Sequence, residues 1–279
     1  MLQKIAIAAC FAASVTWAAP AFASDKTDVE AAIRLSMKYA NTGNDAGFAG
    51  MLLPSGVVID EFAPFHWDGI GAWGQSFGAY NGQNAITGAT TKILRFRHIN
   101  VGGGHAYAVL DVVYSYKQNG VVRHEKGSDL FVLTKTDAGW RLQSFAWASA
   151  GGVDGGADAT AVAQTVHDEL DGFNTGKIDF AKLTWKGIVD EFPAYTFAGP
   201  TAVADWGAAF AKTGQTDTKI ALSAPTHLSV NGADAYVVLP AVITGKVKGK
   251  PVREHGVFVF TLIKANGVWH SHSWAWVLG

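Results

Sequence analysis

Two pairs of adjacent carboxylates, Asp60-Glu61 and Asp190-Glu191, are the residues best suited to chemistry in this chain. Neighbours on a strand point to opposite faces, so one member of each pair can enter a buried cavity while the other faces away. A carboxyl held in an apolar pocket has a raised pKa and can shuttle a proton. The competing assignment is structural, with the acid bound to a backbone amide or to Arg95 or Arg97. His66-Trp67 follows the first pair and places an imidazole and an indole near the same pocket mouth. His270-Ser271-His272 puts two imidazoles on one strand face, but a metal needs a third ligand. The strand register sets His255 opposite Leu278, too far along to serve, so packing histidines are the favoured reading. His98, His105, His167 and His227 have no partner by spacing. No Gly-x-Ser-x-Gly elbow or phosphate-binding loop occurs, and Gly102-Gly103-Gly104 reads as a turn with no helix after it. No metal and no cofactor is expected.

Composition narrows the field. The 279 residues carry 22 Lys+Arg and 23 Asp+Glu, a formal charge of −1, and 49% are apolar. That balance excludes a polytopic membrane protein and argues against a nucleic-acid partner. Residues 1–23 read as a signal peptide. Lys4 precedes the apolar run Ile5 to Trp17, and Ala21-Phe22-Ala23 matches a small-x-small cleavage site. The competing readings are a lipobox at Ile7-Ala8-Ala9-Cys10 and a retained anchor. Cys10 is the only cysteine, so cleavage leaves no thiol. The expected location is periplasmic or secreted, with no membrane attachment after cleavage.

The remainder reads as one unit written twice. Asn41-Thr42-Gly43 recurs as Asn174-Thr175-Gly176, Asp60-Glu61-Phe62 as Asp190-Glu191-Phe192, and Trp73-Gly74 as Trp206-Gly207. Trp140 and Trp147 recur as Trp269 and Trp276. The expected division is domain 1 over 24–150, a flexible glycine-rich linker over 151–156, and domain 2 over 157–279. Val29, Ala32, Ile33, Met37 and Ala40 keep helical spacing, behind a capping box at Thr27 and Glu30. Val162, Val166, Leu170 and Phe173 repeat the stripe. A short strand (Val57 to Phe62), a helix (Ile70 to Tyr80) and a meander follow, with turns at Asn119-Gly120 and Asn266-Gly267. Helices first and antiparallel strands after make an α+β class.

These features together resemble the NTF2-like (SnoaL-like) superfamily. The carrying residues are the first helix ending in Asn-Thr-Gly, the Asp-Glu strand, and the closing hairpins. Those hairpins read Gly127…Phe131…Gly139-Trp140-Arg141-Leu142…Trp147 and Gly256…Phe260…Gly267-Val268-Trp269…Trp276. The resemblance implies two tandem cone domains, each with helices packed into a curved sheet around a pocket. It also implies an intrachain pseudo-dimer through the sheet faces, able to stand as a monomer. The superfamily spans isomerases, dehydratases, epoxide hydrolases, cyclases and non-enzymatic binding modules, so fold alone chooses no activity. Its ketosteroid isomerases carry their general base at a position matching Glu61 and Glu191. Their first-helix phenol has no counterpart here, since Ser36 and Glu169 stand at about that place.

A two-residue turn at Asn266-Gly267 sorts the hairpin faces. It pairs Lys264 with Trp269, Leu262 with Ser271, Phe260 with Ser273 and Phe258 with Ala275. The concave face then holds Glu125, Asp129, Phe131 and Ser144 in domain 1, and Glu254, Phe258, Phe260 and Ser273 in domain 2. The opposite faces, with Leu130, Val132, Phe145 and Trp147 and with Val257, Val259, Trp274 and Trp276, are expected to pack on each other. The leading expectation is an exported protein binding a small, largely apolar molecule, with Trp67, Glu125, Phe131, Ser144, Glu191, Glu254, Phe258, Phe260 and Ser273 as ligand contacts. The first alternative is a cofactor-independent lyase, isomerase or hydrolase using Glu61 with Asp129 or His66. The second is a structural partner-binding module. Asp129 becomes Phe258 and His66 becomes Thr196 in the second copy, so the chemistry is expected in domain 1.

Overall fold

The apolar stripe of the first helix lands where its spacing puts it. In the computed structural model, which describes residues 19–178 and 183–279, helix α1 (Ala19–Asn41) buries Val29 and Ile33 against the first sheet. The helix starts upstream of the expected capping box. Pro20 lies in its first turn, where a missing N–H is tolerated, and nothing before Thr27 breaks it. Most of the expected signal segment lies outside the described residues. Among those described, no helix is long and apolar enough to cross a membrane.

After α1 come α2 (Asp45–Ala49), β1 (Val57–Ile59), β2 (His66–Asp68) and α3 (Ile70–Gln83). Four long strands follow: β3 (Ile86–Gly102), β4 (His105–Gln118), β5 (Val121–Thr136) and β6 (Gly139–Ser149). They form a six-stranded mixed sheet in the order β2-β1-β6-β5-β4-β3, with β1 parallel to β6. The second half repeats the plan. Helix α4 (Ala157–Thr175) precedes β7 (Gly187–Val189), β8 (Thr196–Ala198) and α5 (Ala202–Thr213). Then come β9 (Gln215–Leu222), β10 (His227–Asn231), β11 (Asp234–Val247), β12 (Lys250–Ala265) and β13 (Val268–Leu278). The order is β10-β11-β12-β13-β7-β8, with β9 also on β11. Each half is therefore an α+β unit of helices on one mixed sheet. Asn266 and Gly267 have φ of 51° and 81°, the positive values that a primed hairpin turn requires.

The glycine-rich stretch between the sheets is not free. Leu228 N donates to Gly152 O (3.0 Å), Asp154 N to Leu228 O (2.9 Å), and Val230 N to Asp154 Oδ2 (2.8 Å). Composition suggested flexibility, but edge strand β10 offers unpaired backbone groups and this segment satisfies them.

The hairpin faces require a correction. The expected register holds from the turn to Leu262↔Ser271, then shifts: Thr261 pairs with Ser273, Phe260 with Trp274 and Phe258 with Trp276. Strand β6 shifts likewise between Val132 and Leu133. One extra residue, His272 or Gln143, enters each strand as a β-bulge, and every later side chain changes face. Phe145, Trp147, Trp274 and Trp276 therefore point into the cones rather than between them. Gly127 and Gly256 make room, since a Cβ there would sit 2.6 Å and 2.7 Å from the Trp147 and Trp276 rings.

The sheets still pack back to back. A shared core of Val57, Ile59, Tyr107, Val109, Leu130 and Val132 meets Val189, Tyr236, Val238, Val259, Ala275 and Val277. The small Ala146 and Ala275 fill the places expected for the aromatics. Two buried tyrosines cross the seam symmetrically. Tyr107 Oη donates to Trp276 O and Tyr236 Oη to Trp147 O, each at 2.7 Å.

Candidate functional site

The first cone encloses a cavity of about 360 Å³, within the range of small-molecule sites, roughly 300–1,000 Å³. Its walls are apolar and aromatic: Met37 of α1, Trp73, Phe77 and Tyr80 of α3, and Phe131, Phe145 and Trp147 of the sheet. Four carboxyls reach it, from Asp60 and Glu61 after β1 and from Glu125 and Asp129 on β5. Among the described residues no Lys, Arg or His lines it.

The four acids differ in how they are held. Asp60 is buried, and its carboxylate accepts from Trp73 Nε1 and from Glu61 N, both at 2.7 Å. Burial and then the Glu61 charge push its pKa up to about 7. Asp129 is 4% exposed and receives no hydrogen bond from the described residues. Burial, helped by Asp60, holds it well above the usual carboxylate range. Glu125 accepts from Tyr116 Oη at 2.5 Å and lies within hydrogen-bond reach of Glu61. Its pKa is raised, first by burial. Glu61 accepts from Ser149 Oγ at 2.5 Å, with His227 Nδ1 of the second domain 3.5 Å away. Of the structural partners expected from sequence, the backbone amide is present on Asp60, while Arg95 and Arg97 both turn to Asp111.

Two further groups are poised without partners. Tyr114 Oη on β4 and Asn81 Oδ1 on α3 are buried, line the cavity and make no hydrogen bond. With Asp129 they form a set of unsatisfied polar atoms inside an apolar chamber, an arrangement that folding disfavours unless something is bound there.

Of the residues expected at the first pocket, Glu61, Glu125, Asp129 and Phe131 line it together. Four expected site residues are elsewhere. Ser144 and Ser273 follow the bulges and so face the domain seam, where Thr196 Oγ1 donates to Ser144 Oγ (2.9 Å) and Ser273 Oγ contacts His66 Nδ1 (2.9 Å). His66 leaves the pocket because strand β2 alternates, turning His66 outward and Trp67 inward. Trp67 sits one layer behind the wall, its ring 4.7 Å from Phe62 and its Nε1 bonded to Ser76 Oγ. His272, one of the strand-face histidines, meets His66 edge-on at 4.8 Å, and burial and then His66 push its pKa down to about 4. Among the described residues no three His, Cys, Asp or Glu side chains are placed to hold a metal ion.

The second cone keeps the shared acids and loses the room. Its cavity measures about 60 Å³, lined by Glu191, Glu254, Phe258 and Phe260 as expected, and by Trp185, Trp206, Trp274 and Trp276. Asp190 accepts from Trp206 Nε1 at 2.9 Å, as Asp60 does from Trp73, and burial lifts it to about 7. Burial and then the neighbouring Glu254 push Glu191 up to about 9. Glu169 of α4 is lifted to about 7 by burial.

Sequence reading missed Tyr114 and Asn81 and left open which of Asp60 and Glu61 enters the pocket; both do. Comparing the copies by strand register could have found Tyr114. Tyr114 pairs with Glu125 as Ile243 pairs with Glu254, so the phenol is peculiar to the first copy.

No family model matches this sequence, and no curated protein matches it. Solved structures similar to it include an NTF2-like superfamily protein from Salmonella enterica serovar Typhimurium, 19% identical, covering 49% of this chain and 99% of its own, with a TM-score of 0.42. An NTF2-like protein with a cystatin-like fold from Novosphingobium aromaticivorans is 18% identical over 51% of this chain and 90% of its own, with a TM-score of 0.38. A hexachlorocyclohexane dehydrochlorinase, LinA-type3, from Novosphingobium barchaimii is 16% identical over 44% and 86%, with a TM-score of 0.37.

Proposed function

We propose that this is an exported small-molecule-binding protein whose first cone holds a largely apolar ligand and whose second cone is a structural counterpart. The observation that carries the reading is the sixfold difference in cavity volume, about 360 Å³ against about 60 Å³, between two halves of the same plan. A protein that needed two plugs would have no reason to leave one chamber open and lined with unpaired polar atoms. Titration with a neutral solvatochromic dye tests it. One site per chain is expected, lost in Asp129→Phe/Phe145→Trp, which copies Phe258 and Trp274 into the open cone. Dye binding that survives this double substitution would place the site elsewhere. The export part of the reading rests on residues 1–23 and predicts a periplasmic or secreted chain beginning at Ser24.

A second reading, proton-transfer catalysis in the same cavity, is favoured by one observation. Asp60, at about 7, titrates near neutrality, and its neighbour in the cavity, Asp129, is held well above the usual carboxylate range by burial. Such a pair can take a proton and return it. If a bound ligand is chemically changed on incubation, Asp60→Asn should stop the change.

A further inference from the structure

The open cone has an unusual chemical balance. Its polar complement comprises four carboxyls, the phenols of Tyr80, Tyr114 and Tyr116, hydroxyls and amides, with no cationic side chain on any wall among the described residues. The nearest imidazole, His227, sits at the seam with its Nδ1 3.1 Å from Ser149 Oγ and 3.5 Å from Glu61, where its charge also acts on Glu125, and burial holds its pKa down. Asn81 Oδ1 and the Tyr114 hydroxyl are buried without a partner, and Asp129 is buried beside them with no side-chain hydrogen bond among the described residues. Around them stand Trp73, Phe77, Tyr80 and Trp147, whose ring faces attract positive charge. The second cone retains its counterparts to Asp60, Glu61 and Glu125 but has Phe258 and Ile243 in place of Asp129 and Tyr114. Asp129 and Tyr114 are thus the groups that the open cone adds to the shared acids.

We propose that the ligand of the first cone is a cationic amine on an apolar body, its ammonium set against Asp129 and Asp60 and its body against the aromatic wall. This rests on the binding reading above and adds the ligand's charge. An ammonium offers only donors, for which the carboxyl oxygens, Asn81 Oδ1 and the Tyr114 oxygen are acceptors, and it supplies the positive charge that the lining lacks. Its arrival would lower the pKa of both acids, so binding releases protons and strengthens as pH rises. The groups facing these acids from every wall are Glu61, Glu125, Tyr80, Tyr114 and Tyr116, all neutral or anionic.

The test is calorimetry on the full chain with a matched pair, 4-phenylbutylamine and 4-phenyl-1-butanol. The amine should bind at least about tenfold tighter at pH 8, a gap equal to about 1.4 kcal/mol, and the preference should shrink at pH 5. Asp129→Asn should abolish the preference without weakening the alcohol. Tyr114→Phe, which removes only an oxygen, should weaken the amine alone and serves if Asp129→Asn misfolds. Equal binding of the two probes, or equal weakening of both in the variants, would overturn the charge assignment and leave the binding reading standing. No binding of either probe would sink both.

Discussion

The two cones share an architecture and diverge in what fills them. Both hold an aspartate against a tryptophan indole, Asp60 with Trp73 and Asp190 with Trp206, and both stack that tryptophan on a phenylalanine, at 4.9 Å and 5.5 Å. In the second, Trp185, Trp206 and Trp274 then meet edge to face within 6 Å of one another, and Phe258 packs on Trp274 and Trp276. In the first, Phe145 and Asp129 stand where Trp274 and Phe258 do, and the centre stays open. These two positions, with Trp185 and Ile243, distinguish the packed core from the chamber. The acids common to both cannot be what marks the site.

The sharpest way to break this comparison is to exchange the residue that differs. Phe258→Asp removes a core ring and buries an unpaired carboxyl, and should cost about 5 kcal/mol in urea unfolding. The reverse change, Asp129→Phe, fills space and removes a desolvated acid, and should raise stability by about 1 kcal/mol. Comparable losses from both would mean that the cones are equivalent.

Next in size is the response to pH. Asp60 and Asp190 are both protonated more readily in the folded protein than in the unfolded chain, at about 7 against 3.8. The folded state therefore binds more protons, and stability falls as pH rises from about 4 toward 7, by up to about 1.4 kcal/mol per pH unit for each group. Asp60→Asn and Asp190→Asn should each flatten the decline in a stability-against-pH series. A ligand cation should flatten only the part due to Asp60, and an equal effect on both variants would remove the distinction.

The smallest expected effect tests the symmetry of the seam. Tyr107→Phe deletes the bond donated to Trp276 O and the one accepted from Leu278 N, Tyr236→Phe the equivalent pair with Trp147 O and Ser149 N, and each should cost about 2 kcal/mol. Unequal losses of more than about 1 kcal/mol would show that the domains do not lean on each other evenly.

Much of this was legible in the residues. Helical spacing found α1 and α4, the Asn-Gly turns fixed the hairpins, and self-similarity found the two cones. The acids Glu61, Glu125 and Asp129 fell on one cavity because strand alternation from a known turn carries that far. It failed one step later, at Gln143 and His272. A bulge adds a residue without a compositional mark, and a single slip exchanges the faces of everything beyond it. Ser144, Ser273 and the four inward aromatics were misplaced for that reason alone. The mid-strand glycines Gly127 and Gly256 were the available clue, since a glycine facing a tryptophan ring marks where the ring lies. His66 was misplaced because a three-residue strand, β2, is too short to show a period.

What the sequence by itself determined is the repeated α+β plan, the acid content of its strands and the apolar seam, because these follow from periodicity and turn chemistry within one segment. Only the tertiary structure decided which cone is open, that Asp129, Tyr114 and Asn81 lack partners, and that Glu61 is tied to Ser149 beside His227 of the other domain. Volume and unpaired hydrogen bonds are properties of several strands and helices brought together, and no local pattern along one of them encodes the space left between.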